Sequence, residues 1–169
     1  LANKQALDQV IAAHSRGLDN AETALLKSCY HPEGIVEYGL FEGAASDFLE
    51  AFMQDDGTPA TMHRPSAVRS VIDGDTAKAE TSVIVYREEG EGSAKLQQFV
   101  CGRYLDTFER RDGVWKIIKR VYVLDWNSNM QDTSGWENPL YAACPRGVKA
   151  VDDKFHQLLA DWSRDTKSV

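Results

Sequence analysis

Apolar side chains recur at helical spacing near the start of the chain, a pattern typical of an amphipathic helix. It predicts a helix over residues 2–17 that ends at Gly17, because glycine accepts the backbone conformation that commonly terminates helices. The stripe consists of Leu7, Val10, Ile11, His14 and Leu18. A second helix is predicted at about 20–30, where Asp19 and Glu22 have the spacing of a capping box.

Further along, apolar and polar residues alternate, which is the pattern of β-strands with one buried face. Asp112-Gly113 is a strong hairpin signal, since glycine accepts the positive φ of the turn. Four long strands are predicted: Met62–Ile72, Thr76–Glu88, Lys95–Arg110 and Val114–Asp125. Before them we expect a turn at 31–34, a short strand at 35–38, a loop at 41–43 and a third helix at 45–54. This order indicates an α+β fold, with helices packed against one curved antiparallel sheet.

The chain from Asn127 onwards has a different character, since a loop there precedes an amphipathic helix predicted at about 148–164. That helix has three interpretations: it covers the sheet, contacts another subunit, or forms a lid over the mouth of a pocket. No linker or repeat divides the sequence. We therefore expect a single domain over 1–169, with a core at about 3–126 and a C-terminal loop and helix at about 127–169.

Charge and cysteine content narrow the classes of partner and compartment. The 169 residues carry a formal net charge of −7, which argues against nucleic acid or an anionic membrane as partner. Cys29, Cys101 and Cys144 lack any CxxC spacing and fit reduced thiols in a cytoplasmic protein. No apolar run reaches the roughly 18 residues of a membrane span. Neither metal-ligand spacing nor a cofactor motif is present, so we expect no metal and no cofactor.

Arg120 stands among isoleucine, valine, tyrosine and leucine residues in the predicted strand Val114–Asp125. Strand alternation turns either Lys119 or Arg120 inward, unless a bulge intervenes. An inward Arg120 would share its face with Ile118, Tyr122 and Leu124, whereas Lys119 would point outward. A buried guanidinium is costly unless it has a partner or a role, and this favours a pocket wall.

The element order, the hairpin and three dispersed polar residues resemble the SnoaL-like branch of the nuclear-transport-factor-two-like superfamily, over about residues 3–126. The resemblance implies a cone-shaped α+β barrel whose curved sheet wraps round helices and encloses a pocket. In the hexachlorocyclohexane dehydrochlorinase of this family, the catalytic Asp, His and Arg correspond to Asp19, His63 and Arg120 here. Its lysine near the end of the first helix corresponds to His14. Scytalone dehydratase adds a tyrosine that matches Tyr38.

The resemblance assigns roles that suit the chemistry of these side chains. A histidine titrates near neutral pH and works better as a base when a carboxylate fixes its tautomer. Asp19 would orient His63, His63 would take a proton from carbon, and Arg120 would stabilise the negative charge that develops. The substrate-binding candidates are Tyr38, Tyr104, Tyr122 and His14.

These roles predict a cofactor-independent lyase that eliminates water, halide or formaldehyde from an aromatic or largely apolar small molecule, for example a lignin-derived aromatic. Two alternatives remain open. One is a non-catalytic ligand-binding or assembly domain, such as the small subunit of a ring dioxygenase, and the other is an isomerase or cyclase that uses the same pocket. A homo-oligomer, dimer or trimer, is expected because one face of a curved sheet usually needs covering.

Each candidate residue also has a purely structural interpretation. Asp19 would be a helix cap, and His63 would satisfy a backbone group or face solvent. Tyr38 would lie on the surface, and His14 would be a hydrogen-bonded core histidine. For His31 we expect a turn position and for His156 a solvated one.

Overall fold

Helices precede and follow a six-stranded sheet in this computed structural model, which describes residues 1–53, 61–90, 92–145, 147 and 154–165. The helices are α1 (Ala2–Asp19), α2 (Thr23–Ser28), α3 (Ala45–Phe52), α4 (Pro139–Ala142) and α5 (Lys154–Asp165). The strands are β1 (Tyr30–Tyr38), β2 (Phe41–Ala44), β3 (Met62–Asp73), β4 (Thr76–Glu89), β5 (Leu96–Arg111) and β6 (Val114–Gln131). The predicted α+β class is confirmed.

The sheet is mixed, with the strand order β2-β1-β6-β5-β4-β3. β3 to β6 form the predicted antiparallel meander, and β1 pairs antiparallel with β2. However, β1 runs parallel to β6, so the prediction of a purely antiparallel sheet was wrong at this one pair. A parallel pair needs a long crossover connection, which α3 and the strands β2 to β5 provide here.

The core lies where α1 crosses one face of the sheet and contacts both β3 and β6. Leu7 and Ile11 supply its helical side, and Phe108 and Ile117 supply its strand side, with all four side chains buried. Fully burying a side chain of this size contributes about 1.5–3 kcal/mol. We call the sheet face that α1 covers the inner face.

The first helix ends later than the sequence predicts, because Gly17 is an internal close-packing position and not a terminator. A Cβ atom at Gly17 would lie 2.8 Å from the Cβ atom of Leu26, so α1 and α2 touch backbone to side chain at this point. Glu22 is the N-cap residue of α2, and no side chain caps that helix. The predicted capping role of Asp19 is therefore wrong.

Strand structure extends further than predicted at three places. β1 begins at Tyr30 and includes the predicted turn at 31–34, where its pairing with β6 is irregular. The predicted loop at 41–43 belongs to β2, whose residues pair with 35–38 of β1. β6 continues to Gln131 in register with Leu96, so the chain after Asn127 begins as strand and not as loop.

A β-bulge at Ile118 settles which residues of β6 face inward. Phe108 of β5 pairs with Ile117, whereas Thr107 pairs with Lys119, which leaves Ile118 unpaired between them. Ile117 is fully buried and Ile118 only partly, so the prediction that Ile118 shares the inner face with Arg120 was wrong. Lys119 points outward as predicted and forms an ion pair with Glu37.

The C-terminal helix contacts the end of α1. The described part begins at Lys154, and the predicted start of this helix at 148 lies outside the described residues. His156 Nδ1 lies 3.1 Å from the Nη2 atom of Arg16, and its Nε2 lies 3.5 Å from Glu22 Oε2. The His156 side chain, for which a solvated position was predicted, is 38% exposed and makes both of these contacts.

Candidate functional site

Paired residues on neighbouring strands form rows across the inner face, and these rows position the candidate residues. Tyr104 identifies the face, because its ring centroid lies 5.9 Å from that of His14 on α1. One row consists of His63, Val85, Val100 and Asn127, on β3, β4, β5 and β6. A second consists of Thr81, Tyr104 and Tyr122, and a third of Ala79, Asp106 and Arg120. The candidates therefore lie at successive depths on the same side of the sheet.

Asp19 and His63 are in direct contact, although 44 positions separate them in the sequence. Asp19 Oδ1 lies 2.7 Å from His63 Nδ1, and both side chains are largely buried. This carboxylate also accepts the backbone N–H of His63, at 3.0 Å and 2.9 Å to its two oxygens, and the Thr61 hydroxyl at 3.2 Å. Because Asp19 contacts both the backbone N–H and the ring of His63, it fixes the orientation of the imidazole. Nδ1 is engaged, so Nε2 is the nitrogen that can exchange a proton.

Arg120 is fully buried and has a partner that the sequence analysis missed. Its Nε and Nη2 atoms donate to the two carboxylate oxygens of Asp106, at 2.7 and 2.8 Å. Both side chains are inaccessible to solvent, and the Arg120 guanidinium carbon lies 4.0 Å from the centroid of the Tyr104 ring. Burial favours the neutral guanidine, but the charge and hydrogen bonds of Asp106, together with the nearby Tyr30 and Tyr38, outweigh it and raise the pKa of Arg120 above its usual value. The group therefore stays cationic.

His14 lies on the buried side of α1 and contacts a second tyrosine that was missed. Its Nε2 atom is 3.0 Å from the hydroxyl oxygen of Tyr30. The sequence analysis placed Tyr30 at the end of the predicted second helix. Burial lowers the pKa of His14 well below its usual value, and the charges of Arg120 and His63 lower it further. His14 is therefore a neutral imidazole at neutral pH.

The predicted substrate-binding tyrosines form one aromatic group beside these polar residues. Tyr38 stacks on Tyr122 with ring centroids 5.3 Å apart, and Tyr122 lies 5.8 Å from Tyr104. Burial raises the pKa of Tyr38 and of Tyr104 above the usual phenol value, so both keep their hydroxyl hydrogen. Gly102 makes room for Tyr122, because a Cβ atom there would lie 2.8 Å from the Tyr122 hydroxyl oxygen. The surface interpretation of Tyr38 is wrong, since its partly buried ring packs against the core.

A cavity of about 230 Å³ continues the inner face towards the outer end of the sheet. Val100 lines it and belongs to the same row as His63, two strands away. Neighbouring strands lie roughly 5 Å apart, so the cavity is about 10 Å from the histidine strand. The other lining residues are Arg87, Gln98, Leu124, Asn127 and Asn129.

The described residues contain no cluster of three His, Cys, Asp or Glu side chains that would hold a metal ion. Likewise, no described helix has the length and apolar character needed to cross a membrane.

Comparison with known proteins decides the family. The model of the SnoaL-like domain matches residues 1–121. The chain belongs to the SnoaL-like domain family. A search of the curated proteins found no match.

Solved structures in the same fold include three that are named after different enzyme activities. A candidate scytalone dehydratase from Novosphingobium aromaticivorans is similar at 17% identity and a TM-score of 0.68, over 90% of this chain and 95% of that one. A type 2 hexachlorocyclohexane dehydrochlorinase is similar at 17% identity and a TM-score of 0.70, over 87% and 96%. A candidate aromatic ring hydroxylase from Novosphingobium aromaticivorans has 18% identity and a TM-score of 0.63, over 75% and 92%. At these identities the likeness shows the fold: this SnoaL-like domain has the expected cone architecture.

Proposed function

We propose that this SnoaL-like protein is a cofactor-independent lyase in which Asp19 and His63 form the proton-transferring pair. The observation that carries the proposal is the 2.7 Å contact between the Asp19 carboxylate and His63 Nδ1 in a largely buried setting. Asp19 engages the ring nitrogen of His63 in addition to its backbone N–H, which goes beyond what a helix cap requires. Arg120 and the tyrosines on the same inner face add the donors that an elimination requires.

Proton abstraction falls to His63. Its Nε2 takes a proton from a substrate carbon, and the imidazolium that forms is stabilised by Asp19, which holds the opposite nitrogen. A positioned general base typically contributes about 10²–10⁴-fold to the rate. The electron pair left on carbon forms the new double bond, and the group on the neighbouring carbon departs with its bonding electrons.

Arg120 stabilises the negative charge that develops on the leaving group or on the substrate during the elimination. Asp106 occupies Nε and Nη2 of this guanidinium, which leaves Nη1 for the substrate. A fixed cation in a water-poor site stabilises such charge far more than the same cation in water. The aromatic group of Tyr38, Tyr104 and Tyr122 suits an aromatic or largely apolar small substrate, for example a lignin-derived aromatic.

Water and halide depart by this elimination. In a release of formaldehyde, His63 instead takes the proton from a hydroxymethyl oxygen, the carbon–carbon bond breaks as the new carbonyl forms, and its electron pair stays with the substrate, where Arg120 stabilises it.

Named neighbours support this reaction class without fixing the substrate. The similar structures include a protein described by dehydration chemistry and one described by dehydrochlorination, and both reactions remove a proton and a small leaving group. Another protein of this fold is named as an aromatic ring hydroxylase, so the fold alone does not specify the reaction, and a binding or assembly domain is the alternative.

The test compares Asp19→Ala and His63→Ala with the wild-type protein on a panel of halogenated, hydroxylated and hydroxymethylated aromatic compounds. We expect each variant to lose turnover by at least about 100-fold. His31→Gln is the matched control, because the hydrogen bond of the His31 ring is to the Glu109 carbonyl and glutamine can keep that bond. Mass spectrometry of the product separates an elimination from an isomerisation, in which no atoms are lost. Full turnover in either alanine variant would exclude this mechanism, and ligand binding without turnover in the wild type would favour the binding-domain alternative.

A further inference from the structure

Four buried polar atoms surround the Tyr104 ring without a hydrogen-bond partner among the described residues. They are His14 Nδ1, Thr81 Oγ1, Arg120 Nη1 and the Tyr122 hydroxyl. Thr81 and Tyr122 flank Tyr104 in its row of the sheet, His14 approaches it from α1, and Arg120 lies over its ring. A buried polar atom without a partner costs about 1–3 kcal/mol, so four in one place indicate a binding subsite.

The tautomer of His14 follows from its contact with Tyr30. Burial raises the pKa of Tyr30 well above the usual phenol value, so the hydroxyl keeps its hydrogen and must donate it. Among the described residues, His14 Nε2, at 3.0 Å, is the acceptor within reach of that hydroxyl. A neutral imidazole that accepts at Nε2 carries its hydrogen on Nδ1. The unpartnered Nδ1 atom of His14 is therefore an N–H donor.

We infer that His14, fixed by Tyr30, is a neutral hydrogen-bond donor that binds an electron-rich oxygen atom of the substrate. The Arg120 Nη1 atom, also unpartnered, is a cationic donor to the same oxygen. Such a set suits a carbonyl or phenolate oxygen and does not suit a plain hydrocarbon or a ring that carries only halogens. This inference deepens the proposed function, on which it rests, by naming an oxygen-bearing substrate class.

The tautomer can be measured in the intact wild-type protein. Long-range nitrogen–proton correlation spectra of uniformly ¹⁵N-labelled protein near neutral pH distinguish a protonated from an unprotonated ring nitrogen. His14→Asn, which lacks the ring, identifies its signals. We expect Nδ1 protonated and Nε2 unprotonated, and we expect Tyr30→Phe to abolish this strong preference. A hydrogen on Nε2 in the wild type, or a doubly protonated ring, would overturn the inference.

Binding of a matched pair of probes tests the donor directly. Acetophenone and α-methylstyrene have the same shape and differ in a carbonyl oxygen against a methylene group. We expect the wild type to bind acetophenone about 5- to 10-fold more tightly, the value of one hydrogen bond. His14→Phe should erase this preference, whereas His14→Asn, whose amide nitrogen occupies the position of Nδ1, should keep part of it. Equal affinity for the two probes, undetectable binding of acetophenone, or an unchanged preference in His14→Phe would each contradict the inference.

A further variant separates this inference from the lyase proposal. Asp19→Ala removes the orienting carboxylate but leaves His14, Tyr30 and Arg120 in place, so the preference for acetophenone should persist while turnover disappears. A preference for the ketone together with intact turnover in Asp19→Ala would contradict the lyase mechanism alone. Loss of turnover in Asp19→Ala without any ketone preference in the wild type would contradict the oxygen subsite alone.

Discussion

At the scale of single residues, the Arg120–Asp106 pair is the costliest feature of the inner face, because both charges are fully removed from water. Removing one partner would leave the other charge buried and uncompensated. We expect Asp106→Ala to lower the free energy of unfolding by about 3–5 kcal/mol, measured by urea denaturation. The double variant Asp106→Ala with Arg120→Met should recover much of that stability, since it buries no charge. A double variant no more stable than Asp106→Ala would show that the pair does not act as a unit.

His14 makes stability depend on pH at the same scale. Its pKa is lowered in the folded state, so below about pH 6.5 the unfolded chain binds a proton that the folded protein excludes. The stabilising contribution is therefore complete above the unfolded pKa and is lost as pH falls below it, by up to about 1.4 kcal/mol per pH unit. The groups that face His14 are Tyr30, His63, Tyr104 and Arg120.

Urea midpoints measured at several pH values between about 5 and 8 test this dependence. His14→Asn should flatten the slope below about pH 6.5, because asparagine does not titrate. Identical slopes in the wild type and the variant would contradict a neutral buried His14. His31→Gln, whose ring hydrogen-bonds the Glu109 carbonyl in the wild type, serves as the control for loss of a histidine elsewhere.

The sequence predicts which residues of the β5–β6 hairpin alternate, but it does not predict which residue of β5 pairs with which residue of β6. Arg111 pairs with Val114 across the turn, and counting back without interruption would place Asp106 opposite Lys119. The bulge at Ile118 moves that pairing by one residue, so that Asp106 meets Arg120. Nothing in the local sequence specifies the bulge, whereas the strand alternation of Tyr104, Asp106 and Phe108 already places the aspartate among inward residues. The sequence therefore indicated that Asp106 faces inward, but it did not indicate that Asp106 contacts Arg120.

At the scale of elements, the contact between α1 and α2 determines where Asp19 lies. Gly17 has no side chain, and this lets Leu26 approach closely two residues before the carboxylate. Gly17→Ala would force the helices apart, and overpacking of this kind costs about 1–3 kcal/mol. Since Asp19 follows on the same helix, we also expect the variant to lose turnover. Ala12→Ser, on the exposed side of α1, is the matched control and should change neither quantity appreciably.

Thermal unfolding and turnover of the two helix variants check this expectation together. Normal stability and turnover in Gly17→Ala would contradict the tight helix contact. The sequence could predict both helices from their apolar spacing, but it assigned Gly17 and Asp19 to helix ends, because the local signals for a terminator and for a cap are stronger than any signal for a distant contact. The interaction of Asp19 with β3 depends on a loop closure that local propensity does not encode.

At the scale of the molecule, the alternating strands and the Asp-Gly turn were enough to predict the α+β class and the four-strand meander. The parallel pairing of β1 with β6 was not predictable in the same way, because β2, α3 and β3 to β5 separate these strands along the chain and the pairing produces no pattern of apolar residues of its own. That pairing matters for the site. It brings Tyr38 and Tyr30 of β1 beside the inner-face rows of β5 and β6, where they contact Tyr122 and His14.

β6 continues to Gln131, beyond the residues 1–121 that match the SnoaL-like domain, and this extension forms part of the cavity. Residues Asn127 to Gln131 pair with Leu96 to Val100, and Asn127 and Asn129 line the cavity. A chain of residues 1–135 keeps all of these pairs and loses α4 and α5, whose described contacts with the body include an ion pair with Glu22, a hydrogen bond with Arg16 and a cation–π contact with Arg16. Such partly exposed contacts are worth about 0–1 kcal/mol each. We therefore expect residues 1–135 to unfold cooperatively and to be only slightly less stable than the full chain.

A chain of residues 1–125 is the informative contrast, because it removes the strand partners of Leu96 to Cys101 and two walls of the cavity. We expect it to lose affinity for acetophenone while residues 1–135 retain it, with both measured by the same thermal-shift titration. Unpaired strand termini also make the shorter chain prone to association, which size-exclusion chromatography would reveal. If residues 1–125 bound the ketone as tightly as residues 1–135, the ligand would lie wholly among the deeper rows, around Tyr104, and the outer cavity would serve only as its entrance.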